Sequence, residues 1–160
     1  MSNTKTHTHS ESDVASGVAQ LLTPVVQHLI VLAITGKQAH WHVRGANFIG
    51  VHEFLDVVVD HAQEWADTAA ERIVALGLPV DARLKTVAAR STAPEPSAGF
   101  QQSAATINEV ISVIDTIKGY IDEAIEGLGD LDLMSQDVLI GIRRGLDKDR
   151  WFLFSHIAVN

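Results

Sequence analysis

The sequence predicts an all-α domain, a four-helix bundle whose second and third helices are joined by one long crossover. Three observations predict it. Apolar residues recur at three- and four-residue spacing through four long stretches, as on one buried face of a helix. The breaks between the first and second stretches, and between the third and fourth, are short; the break between the second and third covers residues 77–98 and contains Pro94 and Pro96. The chain has 160 residues, 46% of them hydrophobic, enough for one domain with a sizeable core.

The first dozen residues, "MSNTKTHTHSES", are polar and read as a disordered tail, so the domain is expected over 13–160. Exposed tail histidines such as His7 and His9 are poor metal candidates. A helix then takes over from Ser12, a candidate N-cap with Asp13 in the first turn. It carries Val14, Val18, Leu21, Leu22, Val25, Val26, Leu29, Ile30 and Ala33 on one face and runs toward Val43. Pro24 falls inside it, where a proline can kink a helix. "RGAN" breaks the pattern. The second helix fits Phe48 to about Leu76, with Phe54, Leu55, Val58, Ala62, Trp65, Ala69 and Ile73 inward, and "GLP" ends it.

Within the crossover, "ARLKTVAAR" can form a short extra helix, but "STAPEPSAG" cannot continue it. The third helix fits roughly 99–128, through Ile107, Val110, Ile111, Ile114, Ile117, Ile121 and Ile125, and "GLGD" stops it. The fourth fits Ser135 to His156, with Val138, Leu139, Ile142, Leu146, Trp151 and Phe152. The long connection lets the second and third helices run parallel, which is the connectivity of ferritin-like folds.

With no cysteine, disulfides, thiolate metal sites and cysteine nucleophiles are excluded. Any metal must be held by imidazole and carboxylate. The formal charge of −8 repels nucleic acid and acidic membranes and attracts cations. No apolar run is read as reaching the ~18 residues of a membrane span. The N-terminus lacks a signal-peptide core, so a cytoplasmic location is expected.

Imidazoles and carboxylates collect in "GKQAHWHVRGANFIGVHEFLD" and "WADTAAERIVALG". His52 and Asp56 share a face of the second helix, as do Asp67 and Glu71. Asp56 and Asp67 are separated by about 16 Å of helix rise, so one metal site in one subunit cannot use both pairs. His40 and His52 stand equally far from Ala46 in the turn, so an antiparallel helix pair sets them face to face beside Asp56. Glu71 would face the apolar middle of the first helix near Leu21, where it has no ligand partner. A two-fold axis brings the Asp67/Glu71 end of one chain to the His40/His52/Asp56 end of another, giving two equivalent sites per dimer.

"KQAHWHVRGANFIGVHEFLD" followed by "DTAAER" resembles the Dps family, the miniature ferritins that protect DNA during starvation. The resemblance is close over residues 37–76 and looser through "GDLDLMSQDVLIG" and "DKDRWFLF". It implies a hollow shell of twelve subunits built from two-fold dimers. It also implies iron oxidation at a site shared between subunits, with His40, His52 and Asp56 from one and Asp67 and Glu71 from the other. The implied reaction oxidises Fe²⁺ with hydrogen peroxide, or more slowly oxygen, and stores Fe³⁺ as mineral. In the family a three-fold entry pore is lined by carboxylates, which places Asp130, Asp132 and Asp137 as candidates, Asp137 the best of them. Asp132 could instead cap the fourth helix. Glu53, Asp60 and Glu64 could face the cavity and seed mineral, or form a solvated face. Trp41 or Trp65 could supply an electron to a stray radical, or simply pack; His42 and His61 read as surface or supporting residues.

Three other functions compete. DNA packing is disfavoured by the lysine-poor termini, since phosphate contacts dominate DNA affinity; direct DNA binding is expected to be weak or absent. Arg143, Arg144 and Arg150 are expected to serve subunit contacts or to pair with Asp147 and Asp149. A metal-dependent amide or ester hydrolase could use the same His/carboxylate site. A purely structural helical oligomer would bind no Fe²⁺ specifically.

Overall fold

The computed structural model describes residues 10–159. In chain order the elements are α1 (Glu11–His42), β1 (Val43–Arg44), α2 (Phe48–Ala75), α3 (Leu84–Arg90), β2 (Gln101–Gln102), α4 (Ser103–Leu128) and α5 (Leu133–Ser155). The four long helices form the expected bundle and α3 is the short helix of the crossover. α1 packs on α2 and α4, and α5 on α4 and α2, so α2 and α4 stand on the diagonal.

Two strands, too short to show in any periodicity, fix the direction of the second helix pair. Val43 pairs with Gln101 and Arg44 with Gln102, in parallel. α4 therefore starts at the same end of the bundle as α2 and runs parallel to it. The third helix begins at Ser103 rather than near residue 99, because 101–102 are drawn into this pairing. Ser103 closes the junction, its hydroxyl donating to the carbonyls of Arg44 and Ala46.

The N-terminal boundary also moves. Ser10, not Ser12, is the N-cap: its hydroxyl accepts from the Asp13 amide, and the Asp13 carboxylate accepts from the Ser10 amide. A reciprocal capping box satisfies two orphan amides where a lone cap satisfies one. Glu11 and Ser12 are therefore helical and not part of a tail; His7 and His9 lie outside the described residues. α1 continues through Pro24 as one helix. It also contains an 18-residue window of mean hydropathy 1.8, long and apolar enough to cross a membrane by length and composition alone, which corrects the reading that no such segment exists. Half of that window is buried against the other helices, and α1 touches α2, α3 and α4, so burial within the bundle accounts for its apolarity.

The core runs along the bundle axis through Leu22, Leu29, Leu55, Ile73, Ile107, Ile114, Ile121, Leu139 and Leu146, all fully buried. On α5 the buried stripe is Ser135, Leu139, Ile142, Leu146, Asp149 and Leu153. Trp151 falls on the opposite side and is 63% exposed; Phe152 lies at the edge, packed on Phe54. Both were expected to point inward. The helical period instead sends Asp149 into the core, as described below.

Candidate metal centre

The mirror about Ala46 does bring His40 and His52 together. The turn between them uses Gly45 at φ +97° and Asn47 at φ +57°, left-handed conformations that glycine and asparagine adopt at least cost. The two imidazoles stack with centroids 3.6 Å apart. Each Nδ1–H donates to the other residue's backbone carbonyl, His40 to His52 O at 2.7 Å and His52 to His40 O at 2.9 Å. His40 sits in the last turn of α1, where carbonyls lack helical donors, so the His52 bond fills a vacancy. Because a carbonyl can only accept, both rings carry their proton on Nδ1 when neutral. Both Nε2 atoms are left without a hydrogen-bond partner among the described residues. An imidazole whose Nδ1–H is held by a carbonyl and whose Nε2 is open has the arrangement of a metal ligand. Phe48 stacks on His52 at 5.1 Å.

Asp56 lies beside them, its Oδ1 3.3 Å from His40 Nδ1. That oxygen also accepts from Lys37 Nζ at 2.6 Å. The Lys37 hydrogen bond holds the Asp56 carboxyl below the usual carboxylate range, with smaller contributions from the nearby imidazoles. Lys37 was not anticipated, although its signal was present: the register about Ala46 that opposes His40 to His52 also places Lys37 beside Asp56.

Asp67 and Glu71 are exposed on α2 and have no hydrogen bond or ion pair among the described residues. Among those residues no group of three His, Asp or Glu side chains could hold a metal ion. One chain therefore presents two separated half-sets: a histidine pair with a carboxylate, and two free carboxylates further along the same helix.

The remaining candidates disperse. Glu53, Asp60 and Glu64 are exposed on α2. Trp41 is 63% exposed and borders a groove between α1 and α2 with Lys37, Gln38, Asp60 and Gln63. Trp65 packs over Gly145, where an added Cβ would lie 2.2 Å from its ring. Asp130 and Asp137 are exposed near the α4–α5 turn. Asp132 is the N-cap of α5, accepting from the Ser135 amide at 3.0 Å, and pairs with Arg72 at 2.7 Å. Its carboxylate thus has cap and ion-pair partners and is less free to line a pore.

His42 stands edge-on to Phe100, which lies under the Arg44 guanidinium at 3.2 Å. His61 pairs with a buried carboxylate: its Nδ1 lies 2.9 and 3.1 Å from the two carboxylate oxygens of Asp149. Asp149 is 2% exposed and burial raises its carboxyl above the usual range, partly offset by His61. The expected arginine partner of Asp149 is thus replaced by His61, because Asp149 points into the α2–α5 seam and the arginines do not. Arg143 pairs with Asp122 and with Asp147 as expected, Arg150 with Asp115, and Lys118 with Asp147 and Asp115. Arg144 has no such pair among the described residues.

Residues 19–159 match the model of the ferritin-like domain. The chain is similar to a solved structure of Dps from Microbacterium arborescens in the high iron form. The two share 55% identity over 91% of this chain and 95% of that one, with a TM-score of 0.88. It is 36% identical to the DNA protection during starvation protein of Mycolicibacterium smegmatis, over 89% of this chain and 78% of the relative. It is also 34% identical to the fine tangled pili major subunit of Haemophilus ducreyi, over 94% of this chain and 81% of that one.

Proposed function

Because this chain belongs to the Dps family of the ferritin-like superfamily, we propose that it oxidises Fe²⁺ at a site shared between two subunits and stores the product as ferric mineral. The observation that carries this reading is the pair of open Nε2 atoms at His40 and His52 in a chain whose Asp67 and Glu71, exposed and without an ion pair among the described residues, lie out of their reach. His40, His52 and Asp56 of one subunit and Asp67 and Glu71 of its neighbour complete one set of imidazole and oxygen ligands. The subunits associate as two-fold dimers, which assemble into a hollow dodecameric shell.

Iron is the substrate. Asp67 and Glu71 are hard anionic donors that favour Fe³⁺ over Fe²⁺ and so favour oxidation. His40 and His52, held by their Nδ1–H bonds, supply ligands that need little reorganisation. Lys37 occupies Asp56 until Fe²⁺ displaces it. Two Fe²⁺ reduce one hydrogen peroxide by two electrons, and hydrolysis gives ferric oxyhydroxide: 2 Fe²⁺ + H₂O₂ + 2 H₂O → 2 FeOOH + 4 H⁺. No hydroxyl radical is released, so DNA is protected chemically; oxygen serves as a slower oxidant. Anomalous diffraction at the iron edge from Fe²⁺-soaked crystals tests the reading. Iron is expected within ~2–2.6 Å of His40 or His52 of one subunit and Asp67 or Glu71 of its neighbour; iron bound by one chain alone refutes it.

A further inference from the structure

We propose that His28 is an acid-sensitive latch that pins the crossover to the bundle and releases it when the imidazole takes up a proton. His28 is on α1, only 1% exposed, and far along the helix from the metal centre. Its Nδ1 donates to the Pro24 carbonyl at 2.7 Å. Its Nε2 accepts from the Thr92 backbone amide at 3.1 Å and lies 3.3 Å from the Thr92 hydroxyl. That hydroxyl is 2.9 Å from the Tyr120 hydroxyl on α4, and the Tyr120 ring packs on His28 with centroids 4.3 Å apart. One neutral imidazole thus ties α1, the crossover and α4 together.

The polarity of these bonds admits only the neutral ring. One nitrogen faces an acceptor and must donate; the other faces an amide and must accept. A second proton sets Nε2–H against the Thr92 N–H and removes that amide's acceptor. It also places a positive charge among buried groups, which is costly without a counter-ion. The groups facing His28 are the Pro24 carbonyl on α1, Thr92 on the crossover and Tyr120 on α4. Of these only Tyr120 titrates, as a phenol and in the alkaline range. No carboxylate bonds to His28 among the described residues.

The other ties on the crossover behave differently. Gln27 donates to the Asp81 carbonyl and Gln38 to the Ser97 carbonyl, and neither amide titrates. Ser97 donates to Glu109. Protonation of His28 therefore frees the middle of the crossover while its two ends stay held. The freed segment includes Thr92 and Ala93 and adjoins α3, whose Leu84 and Val87 line a groove with Val31 and Ile34.

The test is hydrogen exchange of the full-length protein at pH 7.5 and 5.5, a window in which an imidazole but not an ordinary carboxylic acid titrates. After correction for intrinsic exchange rates, protection of the Thr92 and Ala93 amides is expected to fall several-fold, up to about tenfold, at pH 5.5. Amides of 107–117 in the core of α4 are expected to stay protected. In His28→Gln the pH step is expected to vanish. Unchanged protection in the native protein, or the same step in His28→Gln, overturns the proposal. The native protein alone gives a readout independent of the variant's folding: protection of Thr92 and Ala93 that changes no more between the two pH values than that of the 107–117 amides refutes the latch.

Discussion

His40 and His52 orient each other: each imidazole donates from Nδ1 to the other's backbone carbonyl, at 2.7 and 2.9 Å. The acceptors are main-chain atoms, so removing one ring leaves the other ring's hydrogen bond in place. His40→Ala is therefore expected to keep its helical circular dichroism and lose at least tenfold in the rate of Fe²⁺ oxidation by peroxide. Loss of helix along with the activity would assign His40 a structural role instead.

The separation of His40, His52 and Asp56 at the α1–α2 turn from Asp67 and Glu71 further along α2 leads to a complementation experiment. His40→Ala and Asp67→Ala are each expected to be inactive. When the two are dissociated and reassembled together, one site in each mixed dimer keeps both halves intact, and part of the activity should return. If mass spectrometry shows mixed dimers and the rate stays at the single-variant level, the shared site is wrong.

Lys37 holds Asp56 at 2.6 Å from its Oδ1 and, in the proposed reaction, would compete with iron for it. Both side chains are about two-fifths exposed, so the pair contributes at most about 1 kcal/mol. Lys37→Met is expected to raise anaerobic Fe²⁺ affinity by up to about fivefold in a calorimetric titration. Weaker binding in the variant would mean that Lys37 helps to build the site.

Burial raises the Asp149 carboxyl, so the folded state favours its protonated form. Its contribution is fully present below the unfolded value, near 3.9, and is lost as pH rises through the raised folded value. Asp149→Asn keeps an oxygen to accept from His61 and removes the charge. Its melting temperature is expected to exceed the native value by a few degrees at pH 7.5, and the gap should narrow toward pH 5. A gap that widens toward acid reverses the sign and rejects this account.

Three cations on α4 and α5 are already matched by carboxylates: Lys118, Arg143 and Arg150 by Asp115, Asp122 and Asp147. Six of the twelve Lys and Arg stand in ion pairs among the described residues and the formal charge is −8, while affinity follows the number of phosphates neutralised. Gel shift of plasmid DNA at physiological salt is expected to show no stable complex, while the same DNA survives Fe²⁺ plus peroxide. Either a clear shift, or protection that persists in an assembled Asp67→Ala, Glu71→Ala double variant, would reject chemical protection.

Much of this molecule was legible from local spacing. Helix positions follow from the 3.6-residue period, and the facing of His40 and His52 follows from one short turn and one antiparallel packing. The lack of intrachain partners for Asp67 and Glu71 follows from helix rise alone. Each depends on geometry within one element or across one tight turn, which sequence separation nearly determines. Three features were decided elsewhere. The capping box at Ser10 depends on a side-chain rotamer, and the β1–β2 pairing joins two-residue segments that carry no period of their own. The turning of Asp149 inward onto His61, and of Trp151 outward, depends on which face of α5 meets α2. That choice is lateral: apolar residues on several faces of α5 fit the helical period about equally well. Only the joint packing of α2, α4 and α5 selects the face that buries Leu139, Leu146 and Leu153 together. His28, too, is an ordinary interior position of α1 by its spacing. Its function as a tie arises where Thr92 and Tyr120 arrive from distant parts of the chain.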